Sequence, residues 1–214
     1  MPFLAISAGL CETVLIIYGS NARSSRDIYG LIDLTPLQVA YQPLLPVGAY
    51  AMAAARHMYQ YGTTREQLAE VTVASRQWAK GNPDAALREP VSIADVLKSP
   101  MICDPLSRMD CCLVSDGGAA VVVTTPDRAR DLRHPRVFIA AGGLGAGAWN
   151  HRSVVKNVDE AESEATVIGR HVFRDAGITH ADIDVAFVYD HFTPLVLMAL
   201  EDYGFCKRGE GKDF

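Results

Sequence analysis

The stretch Asp184–Gly211, DVAFVYDHFTPLVLMALEDYGFCKRGEG, decides how this chain is read. It opens on four apolar residues, Val185, Ala186, Phe187 and Val188, between polar flanks. Such a run reads as a buried strand. Tyr189, Asp190 and His191 follow at once. Thr193 is then suited to cap a helix and Pro194 to its first position, where a missing N–H costs nothing. Leu195, Val196, Leu197, Met198 and Leu200 continue it, and Gly204 supplies a stop. Strand, short polar turn and buried helix are the expectation. In α/β folds, ligands meet the carboxyl ends of strands, which is where Tyr189, Asp190 and His191 fall.

Other segments extend the alternation. Met1–Ala8 reads as the end of an apolar helix, and VLIIYGS, residues 14–20, as a strand rich in β-branched residues. Residues 21–110 are mostly helical in character, with starts signalled at Thr64-x-x-Gln67 and Ser92-x-x-Asp95. Gly62 ends the first long helix there and Asn82-Pro83 breaks the second. Ala119–Val123 reads as a further buried strand, Arg136–Ala141 as a strand leading into Gly142, and Thr125-Pro126 as the start of a short helix. Asp159–Ala176 carries a helical stripe of Ala161, Ala165, Ile168, Val172 and Ala176. Thr179-x-x-Asp182 is another capping pattern. Alternating strands and helices place the chain in the α/β class.

The totals exclude several roles. With 214 residues and 49% hydrophobic content the chain can build one substantial core. A net charge of −5 offers no nucleic-acid surface. No apolar run reaches the roughly 20 residues of a membrane span, and no secretion signal opens the chain. Five cysteines without CxxC spacing are expected to be reduced thiols in a cytoplasmic protein. No metal site is expected, Cys111-Cys112 included.

The remaining candidates have plainer explanations. Gly142–Gly147 lacks dinucleotide-loop spacing and reads as a connection. Asp116 in SDGG reads as a turn cap. Cys11 has no base nearby in sequence. Cys206 precedes Lys207-Arg208, which could lower its pKa. Helix-face or surface roles suffice for His57, His134, His151, His171 and His180. Tyr189 and His191 differ, because strand alternation places them on one side. A phenol and an imidazole there can exchange protons with a carbonyl substrate, and a satisfied polar turn is the alternative.

These residues resemble a known family. The stretches AISAGLCETVLIIYGS, HMYQYGTTREQLAEVTVASRQWAKGNP, PMICDPLSRMDCCLVSDGGAAVVV and YDHFTPLVLMALEDYGFCKRGEG are similar to the thiolase superfamily, of the sterol-carrier or lipid-transfer-protein type. The resemblance implies a layered α-β-α-β-α fold, here incomplete at both ends. Residues 1–20 would end the N-terminal half, 21–110 form a loop or lid region, 111–132 complete that half, and 133–214 begin the C-terminal half. It implies a coenzyme A thioester as substrate, no permanently bound cofactor, and a thiolase-type dimer or other homo-oligomer. A small OB-fold protein is a further partner to expect.

The resemblance also implies that the nucleophilic cysteine lies upstream of residue 1, and that a catalytic His and second Cys lie beyond residue 214. Where the family has Asn-Glu-Ala-Phe or His-Asp-Cys-Phe, this chain has Tyr189-Asp190-His191-Phe192. Tyr at the first position resembles aldolases of steroid side-chain degradation. Three functions follow as expectations: a thiolase-like acyltransferase inactive as this piece alone, a retro-aldolase of β-hydroxyacyl-CoA using Tyr189, or a non-catalytic lipid- or partner-binding module.

Overall fold

The structure is a computed structural model; it describes residues 2–26, 36, 40, 46–145 and 165–214. The expected helix start at 159–164, His151 and the last two residues of the glycine run lie outside the described residues. The chain divides into two compact units, residues 1–32 with 113–140, and residues 33–112 with 141–214.

In the first unit, helix α1 (Pro2–Ser7) precedes strand β1 (Thr13–Ser20), and α2 (Ala22–Ser25) follows it. Strand β1 pairs antiparallel with a strand at Gly117–Thr124, from Thr13 opposite Thr124 to Ser20 opposite Gly117. The β-branched runs form strands as expected, but they are not buried. Ile17 is 71% and Val122 61% exposed. Among the described residues no layer covers these faces, and burial, unlike pairing, needs a second layer. The Thr125-Pro126 signal opens a short helix at Pro126–Arg130.

The second unit is helical around a small core. Helix α3 (Val47–Tyr61) ends at Gly62, which takes the left-handed conformation (φ 70°) that the stop signal requires. Helix α4 (Arg65–Lys80) begins with a complete capping box between Thr64 and Gln67, and α5 (Ile93–Lys98) with one between Ser92 and Asp95. A short hairpin follows, β2 (Met101–Cys103) with β3 (Leu106–Ser107). In chain order β4 is then the Gly117–Thr124 strand, and α6 the Pro126–Arg130 helix. Helix α7 is described over Ala165–Ala176, with Ala165, Ile168, Val172 and Ala176 of its expected stripe half-buried. Helix α8 spans Thr193–Asp202. Val47, Ala51 and Ala54 of α3 meet Leu106 and Phe192 to form the core.

Two expected strands have no ladder. Arg136–Ala141 and Val185–Asp190 are outside any strand, with Val137 92% and Phe187 100% exposed. An apolar run becomes a strand only when another strand satisfies its backbone, and among the described residues neither segment has a ladder partner. All described pairings are antiparallel.

The start of α8 also departs from expectation. Phe192, not Thr193, holds the N-cap position, and Pro194 sits second in the helix. The buried Thr193 hydroxyl instead donates to Asp110 at 2.9 Å. The other Asp110 oxygen accepts from the Ser107 amide at 2.8 Å and its hydroxyl at 2.7 Å. This ties α8 to the turn after β3. Thr193→Val keeps the shape but strands a buried acceptor, so we expect a loss of about 1–3 kcal/mol in denaturant unfolding.

Candidate functional site

Residues 189–192 leave the extended segment and enter α8, held by two backbone contacts. The Cys112 amide donates to the His191 carbonyl at 2.9 Å, and Cys111 bridges Phe192. The alternation argument holds: Tyr189 and His191 share a side, their rings stacked at 4.4 Å and 28°. Tyr189 is 73% exposed. Asp190 turns away from the two rings' pairing and accepts from the Ser75 hydroxyl of α4 at 3.2 Å.

The electrostatics suit proton transfer. Burial holds the His191 imidazole below its usual value, opposed by its contact with the Tyr189 carbonyl and by the Asp190 charge. A neutral imidazole at pH 7 can accept a proton. Cys112, beside this triplet, is pushed up by burial and by Asp190. Cys111 rises to about 11, through burial first and Asp110 next. Neither thiol is an activated nucleophile.

The Cys206 expectation is overturned. Its pKa is raised, by burial first and then by Glu201 and Glu210. The neighbouring cations are engaged elsewhere: Lys207 pairs with Glu210 at 3.6 Å, and Arg208 with Asp202 at 2.8 Å. Asp116 is structural in a way the turn reading did not foresee. Its carboxylate accepts from the Arg23 and Ser24 amides at 2.9 and 3.1 Å, and from the Ser24 hydroxyl. It therefore anchors the start of α2 across 92 residues of sequence.

Sequence reasoning missed a buried network. His57 of α3 is 2% exposed. Its Nε2 lies 3.1 Å from both Glu201 oxygens, and its Nδ1 lies 2.9 Å from the Thr63 hydroxyl. The Gly211 amide donates to the same carboxylate at 3.0 Å. The available signal was the spacing of His57 behind Ala53 and Ala54 on one helix face. A Cβ on Gly211 would lie 2.7 Å from the Leu197 carbonyl and 2.8 Å from Glu201 Oε1. Gly211→Ala should therefore cost about 1–3 kcal/mol, read as a lower denaturation midpoint.

A cleft of about 440 Å³ lies between α7 and the end of α8, lined by Arg170, Phe173, His180, Tyr203 and Lys207 among others. None of Tyr189, Asp190 or His191 lines it. Among the described residues no cluster could hold a metal ion.

The chain is similar to known proteins. Residues 146–214 match a family profile described as thiolase C-terminal domain-like. The solved structure titled "Ltp2-ChsH2(DUF35) aldolase" superposes with a TM-score of 0.87 at 37% identity, over 99% of this chain and 56% of that one. The chain belongs to the thiolase superfamily. The thiolase-like fold expected from the resemblance is thereby shown, with mixed helix and strand content. A steroid side-chain-cleaving aldolase of Thermomonospora curvata is 38% identical over 99% of this chain and 58% of its own length. The 17-hydroxy-3-oxo-4-pregnene-20-carboxyl-CoA lyase of Mycobacterium tuberculosis is 40% identical over 79% of this chain and 45% of its own. This thiolase-superfamily chain thus spans about half the length of the curated relatives it matches.

Proposed function

We propose that this chain is part of an acyl-CoA enzyme that cleaves carbon–carbon bonds in lipid or steroid side-chain degradation. Its reaction is retro-aldol cleavage of a β-hydroxyacyl-CoA thioester. The observation that carries this reading is the Tyr189–His191 ring pair, stacked at 4.4 Å, with Tyr189 exposed and His191 partly buried. The names of the similar aldolase and lyase support it.

The chemistry needs a base and an acid, not an acyl-enzyme. The β-hydroxyl loses its proton and its oxygen forms a carbonyl. The Cα–Cβ bond breaks, and its electron pair passes to Cα as the thioester enolate. A proton on Cα then completes the shortened acyl-CoA. His191, held neutral, suits the base, and Tyr189 the acid–base group at the hydroxyl or carbonyl. Asp190, held by Ser75, places a negative charge near the His191 imidazole. The thioester is substrate; no permanent cofactor takes part in the proposal.

The domain reading belongs to the same proposal. Residues 1–20 and 111–132 belong to the N-terminal half, 21–110 to a lid, and 133–214 to the C-terminal half. A small partner protein, an OB-fold by family resemblance, is proposed beside a homo-oligomer; the similar aldolase structure is titled with two names, Ltp2 and ChsH2(DUF35). A cytoplasmic location agrees with five free cysteines.

The test is incubation of a synthetic β-hydroxyacyl-CoA with the full-length protein and its partner. Release of a ketone or aldehyde with the shortened acyl-CoA is expected. Thiolysis of a 3-oxoacyl-CoA without such cleavage would assign an acyltransferase instead. A second reading, a module that binds a partner and is inactive alone, is favoured by the exposed apolar residues Ile17, Val122, Val137 and Phe187. We expect no turnover from these 214 residues by themselves; turnover by the purified chain removes that reading.

A further inference from the structure

Helix α3 brings Tyr50 against two consecutive residues of the candidate site. Its ring stacks on Phe192 at 4.5 Å and 27°, and meets the His191 ring edge-on at 4.9 Å and 82°. Phe192 is itself in the core with Val47, Ala51, Ala54 and Leu106, and Tyr50 packs against that cluster. The Tyr50 ring is therefore anchored by the core on one contact and touches the imidazole with another. His191 has an aromatic neighbour from each of two elements: Tyr189 from its own segment and Tyr50 from α3.

Edge-to-face packing at these separations is a preferred aromatic geometry, and it fixes the angle between the rings. The His191 backbone is held separately, through its carbonyl and the Cys112 amide. Backbone pinning leaves the side-chain torsions unset; the neighbouring rings restrict them. Proton transfer is sensitive to such placement, since misplacement of about 1 Å can cost a hundredfold in rate.

We propose that Tyr50 is a positioning residue for His191, setting the plane of the imidazole against Tyr189 and limiting water beside it. This rests on the acid–base reading of the Tyr189–His191 pair. The groups facing the imidazole include Tyr189, Asp190 and the Phe192 ring from its own segment and Tyr50 from α3, with the Cys112 thiol nearby on the Asp190 side. Ser75 of α4 contacts the Asp190 carboxylate. Burial is the leading cause of the lowered His191 pKa, and the Tyr50 ring lies in contact with the imidazole.

Two measurements test the proposal. The His191 imidazole is titrated by NMR in the chain, and the pH–rate profile for β-hydroxyacyl-CoA cleavage is recorded in the full-length protein. Tyr50→Ala should move the imidazole midpoint up towards 6.5, the ordinary value. It should shift the acidic limb of the rate profile the same way and lower kcat by about a hundredfold. Tyr50→Phe, which keeps the ring, should leave all three as in the parent. Should Tyr50→Ala fail to fold, Tyr50→Leu takes its place with the same direction expected. An unchanged midpoint and an unchanged pH profile in the folded variant overturn the positioning role. The titration needs no substrate: a shifted midpoint in a protein without aldolase turnover retains the positioning role and removes the proposed chemistry.

Discussion

Glu201→Ala is expected to destabilise the helical unit by about 1–3 kcal/mol, the range for leaving buried hydrogen-bonding groups without their partner. The Glu201 side chain is fully buried, with His57 Nε2 3.1 Å away. Removing it leaves the His57 ring, the Gly211 amide and a cavity without their partner. The variant joins three elements in its effect: α3 through His57, α8 through Glu201 itself, and the C-terminal segment through Gly211. Urea unfolding followed by circular dichroism measures it; a loss below about 1 kcal/mol would contradict the network.

The same network has a pH signature. Burial alone would raise the Glu201 pKa, but bonds from His57 and the Gly209 and Gly211 backbone outweigh it, and the net direction is downward from 4.5. A depressed carboxyl contributes stability above its unfolded pKa and loses it as pH falls through the folded one. The contribution is therefore complete well above pH 4.5 and declines as acid is added below it. In Glu201→Gln that acid-dependent part should vanish, which a comparison of unfolding at pH 7 and below pH 4 reads directly.

Tyr189→Phe is expected to lower retro-aldol turnover in the full-length protein by about 10²–10⁴-fold, the usual contribution of one acid–base group. Only the hydroxyl is removed, and the stacked ring on His191 is kept. The side chain is largely exposed, so folding should be unaffected. Unfolding curves matching the parent, with the rate lost, would assign the effect to chemistry. Acetyl transfer to coenzyme A that survives the change, with no aldol cleavage in the parent, would sink the role given to Tyr189. Because the His191 imidazole lies below its usual value, the parent's rate should hold through neutral pH and fall only on the acidic side.

Much of the local structure was legible because it is made within a few residues. The Thr64–Gln67, Ser92–Asp95 and Thr179–Asp182 boxes all form, since a side chain three residues away meets its backbone partner through helix geometry alone. A fourth box, Ser107–Asp110, forms at the 3₁₀ turn Arg108–Asp110 and was not singled out from the sequence. The stops at Gly62 and Gly204 follow from positive φ, 70° and 82°, which glycine adopts without strain. The pairing of Tyr189 with His191 on one side followed from strand alternation, even though the segment has no ladder.

What the sequence by itself determined, then, is where helices begin and end, which runs extend, and that a phenol and an imidazole face the same way. The tertiary structure alone decided which groups are buried and with whom. His57 finds Glu201 across 144 residues, and Thr193 finds Asp110 across 83. Tyr50, unremarked in its helix, reaches His191. Hydrophobic pattern could not tell that Ile17 and Phe187 are exposed, because burial depends on a second layer rather than on the run's own composition. Local hydrogen bonds are encoded by spacing, whereas long-range partners are chosen by packing, and the candidate site is built from both.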